Sequence, residues 1–440
     1  MKLSVVGLGK LGACTAACFA SKGFETLGID INKDVVNAIN AGKAPVAEPG
    51  LQELIVASRD RLRATGDFEE AIRSSDVTFL VTPTPSEPDG SFSDRYLKAA
   101  LEPLATALRA SDKDYHLFVI VSTVSPGTTE ESLIPLIEKL SGRKLNEGFG
   151  ICYNPEFIAL GSVIRDFLNP DLVLIGESNA FAGEQLVRIY EAVCQNKPYI
   201  ARMSIISAEI TKISLNAFIT MKISFANTLA NICEAIPGAD IDAITKALGA
   251  DKRVSPYYLK GGPAYGGPCF PRDNRAFVTF ARKYGREAKL AEATDEVNRY
   301  QISHLRDLVL RHLPSDKKVS ILGLSYKPNT PVIEESAAIK LIDELLKHDV
   351  EITVYDPLSM DNARGVFGDA IRYASSLEKC LSSSTYWIFT LPYDEFKTID
   401  QTFVAHNPTI IIDCWRMLEP SELGDKVKYI PLGKNVRCEK

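Results

Sequence analysis

The chain has 440 residues, 45% of them hydrophobic and 24% charged, which is too long for one ordinary core and apolar enough to build two or three. A formal net charge of −6 argues against nucleic acid or an anionic membrane as partner, and no run of about 20 apolar residues offers a membrane span. Nine scattered cysteines form no CxxC pair and show no zinc-ligand spacing, so no metal is expected and reduced thiols in the cytoplasm are.

The apolar run Leu3 to Val6 enters a glycine pattern, not a leader cleavage site, and Gly7, Gly9 and Gly12 supply GxGxxG between a predicted strand and a predicted helix. The first glycine permits a tight turn, the second lets a pyrophosphate reach the backbone, and the third lets the helix sit against the strand with its free N–H groups facing the phosphates. Asp30 ends the next strand 23 positions after Gly7, where a carboxylate accepts from both ribose hydroxyls and repels a 2'-phosphate, so NAD is expected over NADP. Leu8, Lys10 and Leu11 within the turn, and Lys33 beyond it, belong to the same expected cofactor site.

Further strands are predicted in VTFLVTPTP (77–85), LFVIVSTVSPGTT (117–129), GICYNPEF (150–157) and LVLIGE (172–177), with helices between. That alternation predicts a doubly wound parallel sheet, whose ligand crevice lies outside the carboxyl ends of the strands. Thr82, Pro83, Thr84, Thr123 and Glu156 stand at those ends.

From about Ser204 to Ala235 neither glycine nor proline interrupts an apolar helical pattern, which predicts one long helix suited to an interdomain spine and a dimer interface. Lys212 and Asn216, four apart, share one face of it. The stretch GGPAYGGPCFPRDN (261–274) reads as an ordered loop holding Cys269, followed by helices over roughly 272–284 and 290–313. The opening pattern then returns without its glycine triplet: a strand in KKVSILGL, a turn carrying Lys327, a helix in ESAAIKLIDELLKHD, a strand ending at Asp356, and later strands at 385–392 and 409–418. Lys327 in that turn suggests a second phosphate-bearing ligand, held differently from a dinucleotide.

The motifs GLGKLG, STVSPGTT, NPEF, EITKISLNAF, GGPCFPRD and LGLSYKPNT, in this order, resemble those of the UDP-glucose/GDP-mannose dehydrogenase family over nearly the whole chain. The resemblance implies two Rossmann-like doubly wound parallel-sheet domains joined by a central helical domain: an NAD domain at 1–203, a dimerising domain with the catalytic cysteine at 204–314, and a nucleotide-sugar domain at 315–440. It implies oxidation of a sugar C6 alcohol to the carboxylate by two NAD molecules in succession, UDP-glucose being the expected substrate and a UDP-N-acetylhexosamine or GDP-mannose the alternatives. A simple 3-hydroxyacid dehydrogenase and a non-catalytic NAD or nucleotide-sugar sensor are the competing readings. The first needs no Cys269 and no third domain; the second predicts binding without NADH.

The same resemblance assigns roles. Cys269 is the nucleophile, Lys212 and Asn216 hold the reacting oxygen, Asp273 positions a water or acts as base, Thr123 helps hold that water, and Glu156 is the base that opens a thioester. Substrate contacts are implied for Glu156, Phe157, Lys212, Asn216, Arg253, Tyr258, Lys260, Tyr265, Gly266, Gly267, Lys327 and Arg416, with Arg253 reaching a neighbouring subunit of a homodimer or larger homo-oligomer. The chain departs from the family pattern at Leu160, Leu172 and Glu334, where a glutamate and two arginines are common, and it carries Pro268 and Arg272 where serine and lysine are common.

Overall fold

The computed structural model describes residues 1–158, 161–399, 408–424 and 426–435. These form two compact units, 1–214 and 215–440, and the division falls inside the long helix Ile205–Ala235.

The first unit is built on one sheet. Its strands are β1 (Leu3–Val6), β2 (Thr26–Ile29), β3 (Leu62–Thr65), β4 (Val77–Leu80), β5 (Leu117–Ile120), β6 (Gly150–Tyr153), β7 (Leu172–Glu177) and β8 (Tyr199–Met203), arranged β3-β2-β1-β4-β5-β6-β7-β8. β1, β2, β4, β5 and β6 are buried throughout, which is why they read as unbroken apolar runs. β3 and β8 alternate instead and carried no clear signal in the sequence.

The expected parallel sheet is interrupted once. β6 and β7 pair antiparallel through only Cys152↔Glu177 and Tyr153↔Gly176, and β8 then follows β7 in parallel. The chain order reverses between β1 and β4, so their carboxyl ends, Gly7 and Val81, flank the switch point.

The helix Lys10–Ser21 buries nine of its residues against this sheet, and Phe19 packs on Phe79 with ring centroids 4.7 Å apart and on Phe167 at 5.5 Å. The loop after β5, which carries Thr123, is tied to the start of the long helix by a buried carboxylate. The N–H of Gly127 donates to Glu209 Oε2 at 2.6 Å and that of Thr129 to Oε1 at 3.1 Å, just where a five-residue π-helical turn begins.

The second unit holds the helices Ile241–Ala250, Phe270–Lys283 and Lys289–Arg311 and a six-stranded parallel sheet. Its strands are β9 (Lys318–Leu322), β10 (Glu351–Tyr355), β11 (Arg372–Tyr373), β12 (Tyr386–Phe389), β13 (Ile410–Asp413) and β14 (Lys428–Pro431), in the order β11-β10-β9-β12-β13-β14. The helix after the cysteine loop starts at Phe270, two residues before the predicted start, because Pro271 is tolerated in a first turn that needs no N–H partner. Among the described residues no helix is long and apolar enough to cross a membrane.

Replacing Glu209 by alanine strands two buried N–H donors. Denaturant unfolding of Glu209→Ala is expected to show a loss of about 2–4 kcal/mol, against under 1 kcal/mol for an exposed carboxylate such as Glu87.

Candidate active site

In the first unit the three fingerprint glycines have three distinct jobs. Gly7 has φ +90°, and a Cβ there would stand 2.6 Å from the Val81 carbonyl oxygen. A Cβ on Gly12 would lie 1.8 Å from the Gly7 oxygen, whereas one on Gly9 would meet nothing within 4 Å. Space therefore opens over Gly9, at the N-terminus of the helix Lys10–Ser21.

Asp30 Oδ2 accepts from the Leu8 N–H at 2.7 Å and Oδ1 from the Asn32 N–H at 2.8 Å, which leaves lone pairs on both oxygens. Leu8 thus serves through its backbone, its side chain being fully buried beneath β2, while Lys10 and Lys33 are exposed and Leu11 is half-buried. At the carboxyl ends of β4 and β5, Ser122 Oγ donates to the Thr82 carbonyl at 2.6 Å and Thr84 Oγ1 to the Thr123 carbonyl at 2.6 Å. Thr82 Oγ1 is buried with no partner among the described residues, and Pro83 beside it is exposed. Open space over Gly9, unspent lone pairs on Asp30 and an orphaned Thr82 hydroxyl fit a dinucleotide.

Glu156 follows β6. Burial pushes its carboxyl up from the ordinary 4.5 to about 7, against the opposing pull of the Tyr190 hydroxyl and the Lys212 ammonium. Lys212 is itself buried: its Nζ donates to the Glu156 carbonyl at 2.7 Å and lies 4.6 Å from the centre of the Phe157 ring. The loop and the long helix therefore fix each other.

In the second unit the cysteine loop is held by close backbone approach. A Cβ on Gly266 would stand 2.3 Å from the Glu335 oxygen, and one on Gly267, at φ +87°, would stand 2.6 Å from the Tyr326 ring. The Gly267 N–H donates to the Glu334 carbonyl at 2.9 Å, so position 334 holds the loop through its backbone while its side chain is exposed. Tyr265 is buried, its hydroxyl donating to Asp295 at 3.1 Å. The loop delivers Cys269 to the N-terminus of the helix Phe270–Lys283, exposed, whereas the other described cysteines are buried or half-buried. Burial pushes the thiols of Cys14 and Cys380 up to about 12 and leaves them inert.

One turn further on, Asp273 is buried and its Oδ2 accepts from Asn216 Nδ2 at 2.6 Å, with Arg272 Nε 3.5 Å from Oδ1. Asn216 is buried as well. An exposed sulfur, a buried carboxylate and a fixed amide thus gather around the start of one helix.

The sheet of the second unit repeats the first in one detail and differs in its outcome. Asp356 accepts from the N–H groups of Leu324 and Ser325 at 2.7 and 3.2 Å, as Asp30 does from Leu8. But it also accepts from Leu358 and Ser359 and is sealed from solvent, so no ribose could reach it. Lys327, in the same turn, is half-buried with Nζ 5.7 Å from the Tyr326 ring centre.

Arg416 requires a correction. Its side chain is 2% exposed and every guanidinium nitrogen is engaged: Nε and Nη2 with Asp242 at 2.8 and 3.0 Å, Nη2 with the Gly261 carbonyl at 2.8 Å, and Nη1 with the Leu432 carbonyl at 2.7 Å. It clamps the cysteine loop to the sheet and has no donor to offer a substrate. Arg253, by contrast, projects from the surface with 88% of its side chain exposed, and among the described residues its ion pair is with Asp251. Tyr258 and Lys260 are also exposed, Lys260 Nζ lying 5.7 Å from the Trp415 ring centre. Of the departures from the family pattern, Leu172 opens β7 and Leu160 lies outside the described residues.

Sequence reasoning missed Tyr190, Asn154 and Glu209. Asn154 was visible as the first letter of NPEF, but a tyrosine on an amphipathic helix and a glutamate on a long one carry no mark that sets them apart from core and surface.

Three regions of the chain match the UDP-glucose/GDP-mannose dehydrogenase family: its NAD binding domain over residues 1–194, its central domain over 206–300 and its UDP binding domain over 320–420. Among curated relatives, a UDP-glucose 6-dehydrogenase, AglM, of Haloferax volcanii is 39% identical over 96% of this chain and 98% of its own. A GDP-mannose 6-dehydrogenase of Pseudomonas putida is 35% identical over 81% of each. Among solved structures, a UDP-glucose dehydrogenase from Pyrobaculum islandicum superposes with a TM-score of 0.88 at 31% identity, covering 98% of both chains.

The glycine geometry separates binding from folding. Gly9→Ala is expected to unfold at the wild-type temperature yet bind NAD at least about tenfold more weakly, by calorimetric titration, because its methyl enters only the space a pyrophosphate would fill. Gly12→Ala is expected to lower the unfolding temperature as well, since its methyl collides with backbone.

Proposed function

The chain belongs to the UDP-glucose/GDP-mannose dehydrogenase family, and from that membership we propose that it oxidises C6 of UDP-glucose to UDP-glucuronate in two successive steps through a covalent cysteine intermediate. The cofactor is NAD and the substrate is a nucleotide sugar. UDP-glucose is favoured among nucleotide sugars by the relative with the highest identity quoted above.

NAD supplies the hydride acceptor for both oxidations; the chain's own residues do the rest. The first oxidation converts the C6 alcohol to an aldehyde, releasing one proton. Cys269 Sγ then adds to the aldehyde carbon, and the resulting thiohemiacetal keeps the half-oxidised sugar attached to the protein. Loss of a second hydride from carbon and of the hydroxyl proton, the second proton released, leaves a thioester. Water adds to it and expels the thiolate, giving the carboxylate, with Glu156 taking the water's proton and Thr123 helping to hold that water.

The observation that carries this reading is the placement of Cys269. It is exposed at a helix N-terminus, whose partial positive charge stabilises negative charge on sulfur, and the fixed Asn216–Asp273 pair lies one turn away. Lys212 and Asn216 are assigned to the oxyanion that develops on C6, where preorganised donors contribute most. Asp273 serves as the acid that positions the reacting hydroxyl or water. Lys327, Lys260, Tyr258 and the Gly266–Gly267 loop are assigned to the nucleotide sugar. Tyr265 supports the loop from beneath, its hydroxyl being engaged with Asp295.

A homodimer through the long helix is the assembly proposed. Phe218, Phe225 and Ile232 recur seven residues apart and are each at least half exposed, a stripe that a second copy would bury and that would also give Arg253 a neighbouring site.

Three experiments test these assignments. Incubation with NAD and a panel of UDP- and GDP-sugars is expected to release two NADH per UDP-glucose, and Cys269→Ala to abolish acid formation while keeping UDP-glucose affinity within about threefold. One NADH per sugar would mean a simple dehydrogenase, and none with any sugar a sensor. Phe225→Glu is expected to sediment as a monomer, with loss of turnover if Arg253 acts across the interface.

A further inference from the structure

Behind Glu156, two side chains that no reading above uses compete for one proton. The Tyr190 hydroxyl, on the helix Ala180–Val193, lies 2.6 Å from Asn154 Oδ1 and 3.1 Å from Glu156 Oε1. Both are acceptors, and a hydroxyl has a single hydrogen to give. The amide cannot turn to relieve the conflict, because Asn154 Nδ2 donates to the Leu174 carbonyl at 2.8 Å, and a carbonyl only accepts. Asn154 and Tyr190 are 1% and 3% exposed, so the bond between them is shielded from water, whereas Glu156 itself is half-buried.

The shorter distance assigns the hydroxyl proton to Asn154. Two oxygens, Tyr190 Oη and Glu156 Oε1, then face each other at 3.1 Å, which is favourable only if the carboxyl carries its own proton and donates it to the tyrosine. We infer that Asn154 and Tyr190 are positioning residues that keep the Glu156 carboxyl protonated at rest, because the amide claims the hydroxyl hydrogen that could otherwise be donated to the carboxylate. Ionising Glu156 requires the hydroxyl to rotate from Asn154 to the carboxylate. Each proton lost by Glu156 therefore exchanges two neutral hydrogen bonds for one charge-assisted bond.

The other groups facing this carboxyl leave the balance to that exchange. Burial has the largest influence and raises the carboxyl, whereas the Tyr190 hydroxyl, when it is donated to Glu156, and Lys212, from the long helix, favour the ionised form, with the net result near 7. Cys18, on the helix Lys10–Ser21, and Cys194 also face it, but burial pushes both thiols up, Cys194 to about 11, so they stay neutral. A base poised near 7 both ionises and is reprotonated within the working pH range. The inference rests on the reading of Glu156 as the base in thioester opening, and it adds how that base is set.

The test follows the carboxyl directly. Infrared difference spectra of each protein against its Glu156→Gln counterpart give the titration midpoint without turnover. Asn154→Leu removes the rival acceptor, frees the hydroxyl for the carboxylate, and is expected to lower the midpoint by about one pH unit, tenfold in proton affinity. Tyr190→Phe removes the one charge-assisted bond together with the two neutral ones it replaces, so the midpoint is expected to move by less than about half a unit. The Asn154→Leu/Tyr190→Phe double variant is expected to match Tyr190→Phe.

The low-pH limb of thioester hydrolysis should move down with the infrared midpoint in Asn154→Leu, because Glu156 must be ionised to act as base. If Asn154→Leu leaves the midpoint in place, or Tyr190→Phe raises it by a full unit, the hydroxyl simply donates to Glu156 and the inference falls. Should Asn154→Leu fail to fold, the Tyr190→Phe result decides alone. The expected midpoints in a protein that makes no NADH would support the proton arrangement and sink the catalytic reading.

Discussion

Both halves of the chemistry begin where glycine lets two stretches of backbone touch. At position 12 any side chain would stand 1.8 Å from the Gly7 carbonyl oxygen, and at position 266 it would stand 2.3 Å from the Glu335 oxygen. Each contact seats a helix N-terminus at a functional point: the first opens over Gly9 where a pyrophosphate fits, the second presents the sulfur of Cys269. A helix N-terminus offers unpaired N–H groups and partial positive charge, and both proposed uses, phosphate and thiolate, are of negative charge. The glycines set how closely the neighbouring backbone can support these termini, and therefore how firmly the charge is placed.

Around those two points burial decides which groups are available. Most of the described thiols and several tyrosine hydroxyls are sunk in the cores, where desolvation removes their acid chemistry, while Cys269 is left at the surface. Glu156 lies between these extremes, deep enough to be raised to about 7 and close enough to the Tyr190 hydroxyl and to Lys212 not to go further. The residues that support it are polar groups locked by one another: Lys212 on the Glu156 carbonyl, Asn154 on Leu174, Tyr190 between two acceptors. Such a network is costly to bury unless every member is placed, which makes the strand β6 and the start of the long helix interdependent.

The two sheets are variations on one plan whose outcomes diverged through solvent access. In each, an acid at the end of the second parallel strand accepts from the turn after the first. Asp30 is partly exposed and keeps lone pairs for a ribose; Asp356 is sealed by two further N–H donors and serves only its own loop. With a lysine in the turn and the glycine triplet gone, the second sheet retains the backbone geometry of a dinucleotide site without its chemistry.

What the sequence determined by itself were the features that repeat locally or need a particular residue: the buried strands as apolar runs, the glycine turn with Asp30, the uninterrupted helix 205–235, and the cysteine among glycines and prolines. Strands β3, β8, β11 and β14 were not legible, because edge strands bury one face or less and lose the continuous apolar signal. The antiparallel turn of β7 and β8 was not legible either, since strand direction is a property of pairing and leaves no trace in composition. Only the tertiary structure decided what each polar side chain faces. Arg416 turned inward to saturate itself on Asp242 and two carbonyls, Glu209 pinned the Gly127–Thr129 loop, and Tyr190 came within reach of Asn154 and Glu156 from more than 30 positions away. The reason is physical: a motif records which groups are present and how the backbone bends near them. The proton a group holds and the partner it takes depend on burial and on neighbours that folding brings from distant sequence.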